Sequence, residues 1–270
     1  MMRVCVVMLS MLDICISPPV TPSPPPPCLY QFEDFANSNA FRLLDRHRNT
    51  STSFNDDIQG TAAVVVAALL SSHGLTNRTV AEHRYLFYGA GAAGVGIADL
   101  LAHTICTETN QTGGQLASCL EAARQKIWLV DSKGLVTSDR PDSNSLQKHK
   151  LPYAHSPDTL PSGQTANPTD NEPSDALLAA IEAVRPSVLI GVSAQGGAFT
   201  EKVCRRMAEI NPHQPPVIFA LSNPTSKSEC SAAEAYQWTD GRVVFSSGSP
   251  FDPLHVENGQ VFAPGQCNNA

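Results

Sequence analysis

Clustered cysteines are missing from this 270-residue chain. Its eight cysteines, at positions 5, 15, 28, 106, 119, 204, 230 and 267, make no CxxC pair and no Cys/His spacing suited to zinc. That excludes a dense disulfide scaffold and points to unpaired thiols in a reducing compartment. Basic charge is scarce too. The 18 Lys and Arg face 25 Asp and Glu, a formal net charge of -7, so no cationic face offers itself to nucleic acid or an anionic membrane. Internal repeats are absent. What remains is a globular balance, 42% hydrophobic and 16% charged, long enough for one large domain or two small ones, with a small molecule as the expected ligand.

The opening "MMRVCVVMLSMLDICIS" has an arginine followed by an apolar run, but Asp13 interrupts it, so a cytoplasmic or organellar location is expected ahead of secretion. The proline tract "ISPPVTPSPPPPCLY" can form neither helix nor central strand, and residues 1–29 read as a disordered, solvated leader. A second polar stretch, about 138–175, carries several prolines and little apolar periodicity and reads as a long surface loop. Elsewhere, strand-like runs at 84–89, 126–131, 187–192, 216–221 and 242–247 alternate with helical runs at about 59–73, 92–104, 115–125, 176–184, 200–210 and 231–237. This alternation predicts an α/β fold, a doubly wound, Rossmann-like parallel sheet flanked by helices.

The segment "LFYGAGAAGVGIADLL" follows the first strand and opens a helix, with Gly89, Gly91 and Gly94 in GxGxxG spacing and Gly96 beyond. The first glycine permits a tight turn, the second admits a pyrophosphate to the backbone, and the third lets helix and strand pack closely. Phosphate would rest on the free N–H groups of the positive helix end. A strand before, a helix after and Asp131 closing the next strand support dinucleotide binding over an empty strand-to-helix turn. Asp131 lies farther on than the roughly 20 residues usual for a ribose-binding acid, which implies a longer connection. Ser132 and Lys133 stand beside the expected ribose 2′ position, with Lys148 and Lys150 in the loop beyond. These cations lean the reading toward NADP over NAD; ordinary surface lysines are the alternative.

In "FNDDIQGTAA" two carboxylates, Asp56 and Asp57, precede an apolar helix. One would suffice as a helix cap. A second acidic pair, Glu33 and Asp34, is set between Phe32 and Phe35, where desolvation is costly unless the acids are paired or bind a cation. Three or four such oxygens suit Mg²⁺ or Mn²⁺. Cap and metal both remain open on this pattern alone.

The blocks "QFEDF", "FNDDIQGTAA", "YGAGAAGVGIADLL", "IWLVDSKGL", "ALSNPTSKSECSAAEAY", "FSSGSPFDP" and "PGQCNN" together resemble the malic enzymes, in consistent order from about Tyr30 to Ala270. "FNDDIQGT" and "ALSNPT" are specific to that family. The resemblance implies a dinucleotide-binding domain over 30–270 and oxidative decarboxylation of malate to pyruvate and CO₂ with NAD or NADP and a divalent metal. It implies Glu33, Asp34 and Asp57 as metal ligands, with Asp56 supporting them from beside. Gly89, Gly91, Ala92, Ala93, Gly94, Asp131, Ser132 and Lys133 would hold the dinucleotide. "VSAQGGAFT" (192–200), with Ser193, would line its nicotinamide side. Asn223 would bind nicotinamide or substrate, and Asn268 and Asn269 substrate. Cys267 stands where the family usually has glycine. The family's acid–base tyrosine and lysine belong to an amino-terminal domain whose motifs are not found here, so the chain is expected to be the cofactor and metal half, inactive alone. A non-catalytic NAD(P)-binding module or regulatory short form is the alternative. Family members form dimers and tetramers, which implies a homo-oligomer for the full-length protein.

Overall fold

The structure, a computed structural model, describes residues 29–111, 113–161, 173–255, 259 and 261–268. The expected leader thus lies outside the described residues over 1–28. The chain enters as β1 (Tyr30–Phe32), α1 (Asn37–His47) and β2 (Ser53–Asn55). A π-helical turn (Asp56–Gly60) leads into α2 (Thr61–Ser71) and the short α3 (His73–Thr76). The alternating part follows as β3 (Tyr85–Tyr88), α4 (Ala92–Glu108), α5 (Leu116–Arg124), β4 (Ile127–Asp131), β5 (Gly134–Leu135), α6 (Pro173–Val184), β6 (Val188–Gly191), α7 (Glu201–Ile210), β7 (Val217–Ala220), α8 (Ala232–Trp238) and β8 (Val244–Ser247). Three two-residue strands close it, β9 (Leu254–His255), β10 (Val261–Phe262) and β11 (Gly265–Gln266).

Among the described residues seven strands form one sheet in the order β11-β8-β7-β6-β3-β4-β5, parallel throughout except for the β4–β5 hairpin. The runs YLFY, VLIG and VIFA are buried at every position because helices cover both faces, which is why they read as continuous apolar runs and not as alternation. On one face α2 and α4 contribute Val65, Leu69, Val95, Leu101 and Ile105; on the other α6 and α7 contribute Leu177, Ile181, Val203 and Met207. The helical stretch Asp56–Thr76 is apolar and long enough to cross a membrane by length and composition, but its Ala62, Val65, Val66 and Leu69 lie in this core. The chain runs from β3 to β4 on one side and returns to set β6 on the other. This reversal opens a crevice at the carboxyl ends of β3 and β6, where doubly wound sheets hold ligands.

A small parallel sheet of β1 and β2 pairs Gln31 with Phe54 and Phe32 with Asn55. Between and after these strands, Ala40 and Leu44 of α1 and Ile58 of the π-helical turn pack with Ala92 of α4 and join this part to the body. Two expectations change. Around 138–160 the chain has no long element, yet it is pinned to the sheet: Tyr153 is buried and donates to Asp99 Oδ1 at 2.7 Å, and buried His155 has Nε2 2.9 Å from the Ile127 carbonyl. Residues 162–172 lie outside the described residues, and α6 already begins at Pro173. The cysteines are not all unpaired either. Cys106 of α4 is disulfide-bonded to Cys119 of α5, because packing of these helices brings their Cα atoms to 5.8 Å, a separation that a bridge spans. Cys204, Cys230 and Cys267 are free and buried.

Candidate functional site

The crevice at the switch point is a cavity of about 940 Å³. Its floor is the glycine turn. Gly89 has φ +123°, and a Cβ there would meet the Val192 carbonyl of the neighbouring strand end at 2.6 Å; a Cβ on Gly94 would collide with the Gly89 carbonyl. Both positions therefore require glycine if strand and helix are to approach this closely. Gly89, Gly91, Ala92 and Ala93 line the cavity at the start of α4, and Gly94 is buried beneath them. The first N–H groups of α4 have no helical carbonyl to bond. One of them, that of Ala92, donates to Asn37 Oδ1 at 2.9 Å. Asn37, which opens α1, thus reaches the start of α4, and nothing in its local sequence distinguishes it from an ordinary helix-start asparagine.

At one end of the cavity stand Asp131, Ser132 and Lys133. Asp131 accepts both guanidinium N–H groups of Arg140, at 2.8 and 3.2 Å, the Lys150 ammonium at 2.9 Å and the Lys133 backbone N–H at 3.0 Å. Burial alone would raise its carboxyl, but these donors outweigh burial and hold it below the ordinary value. Arg140 is 7% exposed and also binds Asp142, which Lys133 Nζ reaches at 2.8 Å. Three cations and two carboxylates therefore meet at this end, of which Asp131, Lys133 and Lys150 line the cavity. Lys150 lines this cavity, whereas Lys148 lines a separate one with Arg42 and Arg124. The opposite end is formed by Ser193, Ala194 and Gln195 after β6.

A second cavity of about 690 Å³ adjoins the first, sharing Asp34, Asp57, Ala93, Val192 and Ala194. The β1–β2 pairing brings Glu33, Asp34, Asp56 and Asp57 to its wall, with Asn223 and Asn268 across from them; no Lys or Arg is among its described lining residues. Asn223 does not reach the larger cavity, and Asn269 lies outside the described residues. The cap reading of the paired aspartates gives way: Asn55 Oδ1 accepts the Ile58 N–H at 3.0 Å and caps the turn itself. Asp57 Oδ2 accepts the Asp34 N–H at 2.8 Å, with Asp34 at φ 60°, and Asp56 Oδ2 accepts from the Gln31 amide at 3.2 Å. Burial first, and then the neighbouring carboxylates of Asp56, Asp57 and Asp34, raise the Glu33 carboxyl. Asp57 is raised by burial against the pull of the Asp34 amide. Among the described residues no three carboxylate, imidazole or thiol groups converge tightly enough to hold a metal ion. The charged groups on this wall are all carboxylates, the oxygen ligand type that hard divalent cations take.

Cys267 is 5% exposed; its N–H donates to the Ser247 carbonyl at 2.8 Å and its Sγ lies 2.9 Å from Ser246 Oγ, which ties the last described residues to the sheet edge. Arg140, Gln31 and Asn37 are the site residues that sequence reasoning missed.

A family model described as "Malic enzyme, NAD binding domain" matches residues 58–270. The chain is 50% identical over 242 residues to the NADP-dependent malic enzyme of Phaseolus vulgaris and, equally, to NADP-dependent malic enzyme 1 of Arabidopsis thaliana, covering 90% of this chain and 37% of each relative. The chain therefore spans little more than a third of the length of these relatives. Among solved structures it is similar to an NAD-dependent malic enzyme from Thermotoga maritima, with 25% identity and a TM-score of 0.61 over 89% of this chain and 50% of that one. The Entamoeba histolytica malic enzyme, at 24% identity and a TM-score of 0.62 over 89% of this chain and 40% of that one, shares the fold.

Proposed function

Since this chain belongs to the malic enzyme family, we propose that it supplies the dinucleotide- and metal-holding part of an oxidoreductase that converts malate to pyruvate and CO₂. The observation that carries this reading is the junction of the two cavities, a glycine-turn crevice opening through Asp34 and Asp57 onto a carboxylate wall. Gly89, Gly91, Ala92, Ala93 and Gly94 would seat the pyrophosphate. Asp131, Ser132 and Lys133 would take the adenosine ribose, and Ser193 the nicotinamide end. Residues 30–57 belong to the same functional unit in this reading, because they furnish all four carboxylates of that wall.

NADP is the favoured dinucleotide. Both Asp131 oxygens are already engaged by cations, so the carboxylate is a weak acceptor for a free ribose diol, while Lys133 and Lys150, which line the cavity beside it, favour a 2′-phosphate. NADP-dependent relatives agree with this. Glu33, Asp34 and Asp57 would hold Mg²⁺ or Mn²⁺, with Asp56 and Gln31 steadying them. A cation there would polarise the substrate's oxygens as a Lewis acid. Asn223, Asn268 and Asn269 would orient the carboxylates of malate by hydrogen bonds. Chloroplastic relatives favour a cytoplasmic or organellar setting over secretion, and assembly with further copies follows the family pattern.

A second reading is favoured by one observation: the described lining of the carboxylate cavity holds no Tyr, Lys or His to move a proton. Tyr85 and Tyr153 are buried and bonded elsewhere. The isolated chain would then bind dinucleotide without turning over malate. Calorimetric titration with NADP⁺ and NAD⁺ tests both readings. NADP⁺ is expected to bind about tenfold tighter than NAD⁺, the worth of one charge-assisted contact, with no NADPH formed on adding malate and Mn²⁺. Binding of neither dinucleotide would refute the first reading, and turnover would refute the second.

A further inference from the structure

Glu229 follows β7 and is completely buried, yet lines neither cavity. Its side chain faces the two loops that separate them. Oε1 accepts the Ser193 N–H at 3.2 Å and the Ser222 hydroxyl at 2.5 Å, and Oε2 accepts the Ser222 N–H at 3.3 Å. The network continues outward. Ser222 Oγ accepts the Ala194 N–H at 2.9 Å, Ser193 Oγ accepts the Gln195 N–H at 3.2 Å, and Gln195 Oε1 accepts the Tyr88 hydroxyl at 2.8 Å. The Glu229 main chain joins in, its carbonyl accepting the Phe199 N–H at 2.9 Å.

A carboxyl group placed here costs desolvation, and burial raises it above its ordinary value despite the donors. Room for it exists only because residue 191 is glycine: a Cβ at Gly191 would collide with the Glu229 carboxyl carbon. Besides its own backbone N–H, the groups that donate to this carboxylate come from Ser193, at the far end of the dinucleotide cavity, and from Ser222, which precedes Asn223 on the carboxylate cavity. An apolar side chain of the same volume would fill the space but could not tie these loops to each other.

We infer that Glu229 is a positioning residue that fixes segment 193–195 against 222–223 and so sets the grip on the nicotinamide half of the dinucleotide, leaving the adenosine half to the Asp131 network. The inference rests on the dinucleotide reading above. It predicts a split that a general loss of structure would not produce. In the full chain, Glu229→Ala weakens NADP⁺ binding about tenfold, since it strands buried donors, while the affinity for 2′,5′-ADP, which carries only the adenosine half, stays unchanged. Glu229→Gln, with the same size and one acceptor oxygen, recovers most of the NADP⁺ affinity. Ser222→Ala, which removes a donor from the other side, reproduces the selective loss. Hydrogen exchange at the amides of 193–195 and 222 quickens in Glu229→Ala. Parallel loss of both ligands in all three variants, or unchanged NADP⁺ affinity with unchanged exchange, overturns the inference. A wild-type chain that binds neither probe refutes the dinucleotide reading alone, and the exchange comparison still decides whether Glu229 couples the two loops.

Discussion

His83 shows how one buried ring sets a pH limit on this fold. It is 3% exposed, its Nδ1 lies 2.9 Å from Ser187 Oγ, and burial first, with Arg78 adding to it, pushes its pKa down to about 4 from an ordinary 6.5. Between those two values the unfolded chain binds a proton that the folded chain refuses. Stability therefore falls as pH drops from about 6.5 to about 4, by roughly 3 kcal/mol. His83→Asn, which can keep a polar atom toward Ser187, should flatten urea-unfolding free energies across that window. A slope equal to the wild type's would refute the assignment. His155, also buried and lowered, leaves some residual dependence. Asp131 acts at lower pH: its carboxyl is depressed, so the stability it contributes is present above its ordinary 3.8 and is lost as pH falls through its folded value.

The disulfide between α4 and α5 operates at the scale of elements. Cys106 and Cys119 are 13 residues apart and enclose the turn that carries Gly113 and Gly114. Closing a loop of that size removes unfolded-state entropy worth about 3 kcal/mol, or roughly 6–12 °C in melting midpoint for a chain of this size. Dithiothreitol should lower the midpoint by that amount, and Cys119→Ser should be insensitive to it. An equal thiol titre with and without reductant would show that the bridge does not form. The bridge was not legible in the sequence, because neither its spacing nor its neighbours differ from those of free thiols; only helix packing brings the two Cα atoms together. The central strands were legible for the opposite reason. The observed β3, β4, β6, β7 and β8 fall inside the expected runs, since strands buried on both faces advertise themselves as apolar stretches. The β1, β2, β5 and β9–β11 strands are two or three residues long and exist only through pairing partners. Within the site, the glycine turn and the acidic pairs could be read from spacing. Arg140 could not, because it meets Asp131 only through the fold of the chain after β5.

For the whole molecule, the decisive feature is that the two cavities share walls. Asp34 and Asp57 line both, so the negative charge of the proposed cation wall also faces the crevice proposed for an anionic dinucleotide. The chain's net charge of -7 does nothing to relieve this. A divalent cation at the carboxylate wall would neutralise the shared aspartates and improve the dinucleotide's electrostatic setting. Binding free energies are reciprocal, so NADP⁺ must then raise cation affinity by the same factor as the cation raises NADP⁺ affinity. For charges partly screened by water, a coupling of about 1–1.4 kcal/mol is expected, a factor of roughly 5–10. Titrating NADP⁺ into the chain with and without saturating Mn²⁺, and Mn²⁺ with and without saturating NADP⁺, should give matching factors in that range. Asp57→Asn should weaken Mn²⁺ binding and shrink the coupling while improving metal-free NADP⁺ affinity slightly, because one repulsive charge is gone. Independent binding of the two ligands in the wild type would mean that the shared aspartates do not carry charge between the sites, and the metal reading of the carboxylate wall would lose its electrostatic basis.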